Sequence, residues 1–334
     1  MIGPGTNTIR LSDSARGLRA AAALLRQGQT VAFPTETVYG LGADARDGQA
    51  VARIYAAKDR PAFNPLSVHL ADAGAAAGLA QFSQTAARLA AAFWPGPLTL
   101  LLPLDTRAGI SPLVTAGGAR IALRVPAHPL ARALLRASGA PLAAPSANPS
   151  GKVSPTTADH VLEGLGGRIA AVVDGGPCPV GVEATILDLS DATPRLLRPG
   201  GLPIEAVETC LGQALAPAPA TADIRAPGQL TSHYAPRAAL RLAKEGTPMP
   251  EAPLWLAFGP LGGRRGVTLS ETGDLVEAAA RLFAALRELD ALAAETGIER
   301  IGVDPIPETG LGAALNDRLR RAAAPRPPAY PHPV

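Results

Sequence analysis

Near the start of the chain Leu18, Ala21, Leu24 and Leu25 recur at helical spacing, Asp13 and Ser14 stand where a cap belongs, and Gly28 closes the run. This predicts an amphipathic helix. A short apolar strand over 30–33 follows and stops at Pro34, which has no N–H to give to a ladder. A helix over 48–57 leads into Lys58, and strands are predicted over 66–70, 98–102 and 121–125. Then come a helix over 130–137, a strand just before Pro145, and extended segments over 169–173, 184–189 and 196–198. Alternation of this kind predicts an α/β domain over 10–215, built on a twisted, mixed or partly parallel sheet.

The pattern lapses after Leu215. Residues 216–237 are rich in Pro and Ala with neither helical nor strand period, and predict an extended linker. Beyond it, a strand over 254–258, a long helix over 275–293, a strand over 301–303 and a helix over 311–321 predict a small Rossmann-like α/β domain spanning 238–322. It has no GxGxxG motif. The tail over 323–334 is too rich in proline to pack as helix or strand.

A chain of 334 residues has room for two such domains, and 47% hydrophobic with 18% charged residues is a globular composition. Aromatic residues make up only 4%, so the core must be aliphatic. The net charge is +3, carried by three lysines and twenty-eight arginines that show no long basic stripe along the sequence. So small an excess does not indicate a nucleic-acid binder. Cys178 and Cys210 stand far apart with no CxxC or Cys/His cluster, which argues against a zinc site and for free thiols. No apolar run approaches the ~18 residues of a membrane span, and a cytoplasmic protein is expected.

The scarcity of lysine gives Lys58-Asp59-Arg60-Pro61 its weight. A point charge and a planar fork, held in a turn that Asn64-Pro65 continues, suit a polyphosphate. Cations at a helix end also simply favour the carbonyl pole of the macrodipole, and both readings stand. Ser146-Ala147-Asn148, bounded by Pro145 and Pro149, offers neutral donors to the same kind of ligand. The stretch Pro34-Thr35-Glu36-Thr37-Val38-Tyr39-Gly40-Leu41-Gly42 is either a ligand-lining loop or a tight turn, and it is neither a Walker A loop nor a dinucleotide fingerprint. His69 and Arg124 stand on the polar side of otherwise apolar strands, and Arg124 there needs solvent or an anion. Thr99 begins a strand whose hydroxyl could face a pocket.

Together these stretches resemble the Sua5/YciO/YrdC family in its long, two-domain form. The resemblance rests on PTETVYGLG at 34–42, the KxR motif at Lys58 and Arg60, Asn64-Pro65-Leu66 with His69, and FWPGPLT at 93–99. It continues through Arg124-Val125-Pro126 with His128-Pro129, the SxN motif at Ser146 and Asn148, GVEATILD at 181–188, Arg198-Pro199-Gly200, and His233-Tyr234. It implies ATP-dependent joining of L-threonine and bicarbonate or CO2 into threonylcarbamoyl-AMP, with pyrophosphate released. Mg2+ would be carried mainly by the ATP phosphates, with no side-chain metal ligand. Separate enzymes would then transfer the group to adenosine 37 of ANN-decoding tRNAs, so direct tRNA binding is not required. Carried over by motif, Lys58, Arg60, Ser146, Asn148, Thr185, Arg198 and Tyr234 would hold nucleotide and phosphates, with Lys58 and Arg60 as the catalytic pair. Thr35, Tyr39, His69, Thr99 and Arg124 would hold threonine and carbamate. The linker would cross the active site. Two departures are Ala184, where the family usually has serine, and Gly228-Gln229-Leu230, where it commonly has a methionine and a basic residue.

Overall fold

The computed structural model describes residues 7–217, 232–243 and 252–325, so most of the expected linker and the proline-rich end of the tail lie outside the described residues. The chain falls into two compact units. One holds the described residues up to Ser150 and from Ser154 to 217; the other holds Gly151–Val153 and those from 232 onward.

In the first unit the chain runs through β1 (Ile9–Ser12), α1 (Ala15–Arg26), β2 (Val31–Phe33), β3 (Gly40–Asp44), α2 (Gly48–Lys58), β4 (Ser67–His69) and α3 (Gln84–Phe93). It continues through β5 (Leu98–Pro103), β6 (Arg120–Arg124), α4 (Pro129–Ser138), β7 (Leu142–Ala143), α5 (Ala158–Leu165), β8 (Ala171–Asp174), β9 (Thr185–Asp188), β10 (Arg195–Arg198), α6 (Ile204–Leu211) and β11 (Ala216–Pro217). Among the described residues these strands form one mixed sheet in the order β1-β8-β2-β3-β7-β4-β6-β5-β9-β10-β11. Its period-2 pattern sorts side chains between two cores. Val31, Phe33, Leu142, Ala171 and Val173 pack with α1 and α4 on one face, whereas Ala32, Ala143 and Val172 join the larger core under α2, α3, α5 and α6 on the other.

The first helix begins as the pattern predicts, with the Ser14 hydroxyl accepting from Gly17 N at 3.2 Å. Six elements of this unit were not legible, the four-residue β1 among them. β3 begins in the last residues of the stretch over 34–42 read as loop or turn and runs past it, and it forms because β2 and β7 pair with it on both sides. Helices α3, α5 and α6 bury small or few apolar residues, such as Ala86, Leu89 and Ala90 of α3, which leave a weak helical signal. Ala216–Pro217, expected as linker, pairs with β10 as a short edge strand.

The second unit carries a four-stranded, all-parallel sheet in the order β12 (Ala239–Leu242), β15 (Arg300–Val303), β13 (Leu254–Ala257) and β14 (Gly266–Thr268). Helices α7 (Leu275–Thr296) and α8 (Leu311–Ala323) pack on it. The arrangement is Rossmann-like, with two strands, β12 and β14, beyond the β-α-β-α pattern expected. Gly302 stands opposite Trp255 in the register, and a Cβ at 302 would lie 2.7 Å from the indole ring, so only glycine admits that side chain across the strand pair.

Candidate active site

Three motifs distant in sequence are tied together by backbone bonds in the first unit. Leu41 N donates to Pro145 O at 2.8 Å and Ala147 N to Tyr39 O at 2.8 Å, which lays the 34–42 stretch against the SxN segment. Ser150 N donates to Lys58 O at 2.7 Å. Lys58 is the last residue of α2, whose C-cap Asp59 takes a left-handed conformation before Arg60 and Pro61. Its ammonium does not serve its own helix end. It is fully buried and donates to Ser146 O at 2.5 Å and to Asn148 O. Burial, and then the neighbouring Arg60, push its pKa well below the lysine range, with Glu183 pulling the other way. Two carbonyls account for two of the ammonium's three hydrogens, leaving the third for another acceptor.

Arg60, half-buried, donates to Asn64 O at 3.0 Å, Asn64 Oδ1 at 2.6 Å and Pro65 O at 2.7 Å, so it fixes the turn that follows. The Ser146 hydroxyl makes no hydrogen bond among the described residues, and Asn148 Nδ2 donates to Pro149 O at 2.9 Å. Arg198 donates to Ala184 O through Nε (3.2 Å) and Nη2 (2.8 Å). Thr185 Oγ1 donates to Leu202 O at 2.6 Å. The RPG turn approaches the 181–188 strand so closely that a Cβ on Gly200 would sit 2.3 Å from Glu183 O. Ala184, the residue that departs from the family pattern, is 1% exposed and contributes only its carbonyl to this contact.

A second group forms a row across neighbouring strands. His69 of β4 is the register partner of Arg124 of β6, and Thr99 of β5 stands one position beyond the Leu100–Leu123 pair, opposite Arg124. All three are buried. Arg124 finds its anion inside the protein. Nη2 donates to Glu36 Oε1 at 2.6 Å, Nη1 to Thr37 Oγ1 at 3.0 Å and Nε to Gly96 O at 3.3 Å, while Glu36 Oε2 accepts from Ala127 N at 3.1 Å. Burial and the nearby Arg124 hold the His69 imidazole well below its usual pKa, hence neutral, and its Nδ1 has no hydrogen-bond partner among the described residues. The Thr99 hydroxyl is likewise unbonded among them. Thr35 Oγ1 accepts from Thr37 N and Val38 N, both at 3.2 Å, and donates to Val38 O at 2.6 Å, so the 34–39 stretch is a tight, hydroxyl-held turn as well as a buried polar one. Tyr39 OH donates to Gly176 O at 2.8 Å, and burial raises its pKa.

Eleven of the twelve residues singled out in the sequence therefore belong to the first unit. Tyr234 belongs to the second, where it is fully buried, stacked on Phe283 with centroids 5.4 Å apart, under the guanidinium of Arg318 at 5.5 Å. Residues that sequence reasoning gave no role are Glu36, Glu183 and Ser154, whose hydroxyl donates to Glu183 Oε1 at 2.6 Å. A carboxylate among threonines, as at Glu36, was the only available signal.

The Sua5/YciO/YrdC family profile, described as telomere recombination, matches residues 23–200, and a profile described as the threonylcarbamoyl-AMP synthase C-terminal domain matches 202–324. A threonylcarbamoyl-AMP synthase of Bacillus subtilis is 44% identical over 339 residues, covering 96% of each chain. One from Pyrococcus abyssi is 43% identical over 325 residues, covering 92% of this chain and 94% of that one. The crystal structure of P. abyssi Sua5 complexed with L-threonine superposes with a TM-score of 0.85 at 39% identity, covering 95% of this chain and 98% of that one. With both profiles in order and both units covered by relatives of matching length, the chain belongs to the Sua5/YciO/YrdC family, in its two-domain form.

Proposed function

We propose that this chain makes L-threonylcarbamoyl-AMP from L-threonine, CO2 or bicarbonate, and ATP, releasing pyrophosphate. The observation that carries the reading is near-complete coverage by threonylcarbamoyl-AMP synthases, in a chain whose buried cations and open hydroxyl and imidazole groups gather in one unit. The unprotonated amine of threonine adds to CO2, forming the N–C bond of a carbamate and releasing one proton. A carbamate oxygen then attacks the α-phosphorus of ATP, and the bond to the β-phosphate oxygen breaks.

The residues divide this work. Lys58, Arg60, Ser146, Asn148, Thr185 and Arg198 surround the nucleotide and its phosphates. Charge developing on phosphate meets the Lys58 ammonium, already desolvated and fixed on two carbonyls, so little reorganisation is needed. Thr35, Tyr39, His69, Thr99 and Arg124 hold threonine and its carbamate, with neutral His69 able to hydrogen-bond through its open Nδ1. Glu36 keeps Arg124 in place. Burial of the row excludes the water that would destroy a carbamate. The donor set consists of cations and hydroxyls, and Glu36 is committed to Arg124 while Glu183 accepts from Ser154, which suits a Mg2+ that arrives on the phosphates. When bound, that ion would neutralise triphosphate charge.

The product would pass to separate threonylcarbamoyl-transfer enzymes acting on tRNA, in the cytoplasm, where Cys178 and Cys210 remain thiols. Among the described residues no helix is long and apolar enough to cross a membrane. The stretch over 216–237 is proposed to shield the reacting groups; its test is a chain ending at Leu215, and unchanged activity would exclude it. The reaction itself is tested by pyrophosphate release that requires threonine, bicarbonate and ATP together. Threonine should exceed serine in kcat/KM by about 10–200-fold, the value of one methyl in a small apolar pocket. Release independent of bicarbonate would refute the reading.

A further inference from the structure

Two helices that the reaction does not use carry five arginines and no carboxylate of their own. α1 and α4 lie side by side, and Arg26 Nη1 donates to Ala137 O at 2.7 Å, so their C-terminal ends meet. Their inner faces, Ala21, Ala22 and Leu25 on one and Ala131, Leu134 and Leu135 on the other, share a core. On the outside Arg16, Arg19, Arg26 and Arg136 are exposed and Arg132 is half-buried, and neither helix contains a carboxylate. Among the described residues none of these five arginines forms an ion pair. Arg10, Arg46, Arg107, Arg168, Arg264 and Arg320 each have a carboxylate within 3.0 Å; Arg88 of α3 has none among the described residues either, and what sets α1 and α4 apart is five such arginines on two adjacent helices. The Nε of Arg132 is buried with no hydrogen-bond partner.

The helix dipole accounts for part of this. Arg26 and Arg136 stand in last turns, where cations are favoured, but Arg16 and Arg19 stand in the first turns of α1, where they are not. Local stability therefore does not explain the stripe, and a negative partner does. At the C-terminal end of α4 the stripe meets a cleft of about 360 Å³, walled by Leu70, Leu79 and Leu135 and bordered by Arg136 and Asp72. Asp72 Oδ1 already accepts from Ala75 N at 3.0 Å. The cleft has room for an aliphatic side chain. Neither helix carries an aromatic residue on which a nucleic-acid base could stack.

We propose that the α1/α4 face docks an acidic protein segment that places an aliphatic side chain in the cleft beside Arg136. The proposed reaction supplies a reason, because its product is a carbamic–phosphoric anhydride that water destroys and that a carbamoyl-transfer enzyme must receive nearby. That reason rests on the proposed function; the surface argument does not.

The test uses the full chain and a fluorescein-labelled peptide of glutamates with two leucines one helical turn apart, followed by anisotropy without substrates. Arg16→Glu with Arg19→Glu, and separately Arg136→Glu, should each weaken binding about tenfold or more, since desolvated charge pairs at an interface carry that order of energy. Replacing the leucines by serine, or filling the cleft with Ala75→Phe, should weaken it about fivefold, the value of a small apolar contact. Arg88→Glu, at an exposed position on α3, should change it less than about twofold, the ordinary effect of a distant surface charge. Adenylate synthesis should be unchanged in every variant, so a failed reaction assay in the wild type bears on the function and not on this surface. Equal loss in Arg88→Glu, indifference to the leucines, or duplex RNA binding that depends on these arginines while the peptide does not bind, would overturn the proposal.

Discussion

Lys58 and Arg124 are both buried cations in the first unit, yet they are compensated in different ways. Arg124 faces a full negative charge, Glu36 at 2.6 Å, and the pair is closed further by Thr37, Gly96 and Ala127 N. Lys58 bonds only the carbonyl oxygens of Ser146 and Asn148, and burial and Arg60 push its pKa down although Glu183 pulls it up. A buried ammonium bonded to dipoles, opposed by Arg60 and only partly offset by Glu183, is under-compensated. The difference separates a cation already paired within the fold from one that a bound anion would compensate further. The Arg124 fork is set in advance; the Lys58 ammonium is proposed to meet a phosphate.

The largest effect expected is on the finished pair. Glu36→Gln strips the counter-charge from Arg124 and should destabilise the fold by about 3–5 kcal/mol, as breaking one side of a buried pair does. Chemical denaturation measures it, and a loss under about 1 kcal/mol, the range of an exposed pair, would show that Arg124 does not depend on Glu36. Lys58→Met should act in the opposite sense. It removes an under-compensated charge, so stability should be kept or raised, while adenylate formation falls by about 10–150-fold, the worth of a charge-assisted bond of about 1.5–3 kcal/mol. Near wild-type turnover at saturating ATP would remove Lys58 from the phosphate grip.

The pH response sharpens the contrast on a smaller scale. His69 titrates well below its unfolded value near 6.5 because burial and Arg124 disfavour the imidazolium. Below about pH 6.5 the unfolded chain takes up this proton and the folded chain does not, so stability falls as pH falls, by up to about 1.4 kcal/mol per pH unit for one proton. His69→Gln should flatten that slope between pH 6.5 and the folded pKa. An unchanged slope would mean that His69 already carries a proton in the folded state.

How much of this could be read from the sequence depends on range. The cap at Ser14 is a local matter, and so is the choice of Lys58, Arg60, Ser146 and Asn148 as an anion-binding set, which residue types and prolines suggest by themselves. That Lys58 reaches the carbonyl of Asn148, ninety positions away, is not. Arg124 was read as needing solvent or an anion, and only the fold brings Glu36 to it across eighty-eight positions. β3 escaped because glycine hides a strand that neighbours enforce. The arginine stripe escaped for the same reason, since Arg19 and Arg136 share a surface only after α1 and α4 pack.

The central claim is that threonine, bicarbonate and ATP are joined in one product at the site containing Lys58. Mass spectrometry of a reaction run with 13C-bicarbonate tests it most directly. The account predicts an AMP adduct carrying both the threonine mass and the 13C label, formed by the wild type and reduced by about 10–150-fold in Lys58→Met, the loss expected for one charge-assisted bond. An adduct of threonine and AMP without the label, or a labelled adduct formed equally by Lys58→Met, would contradict it.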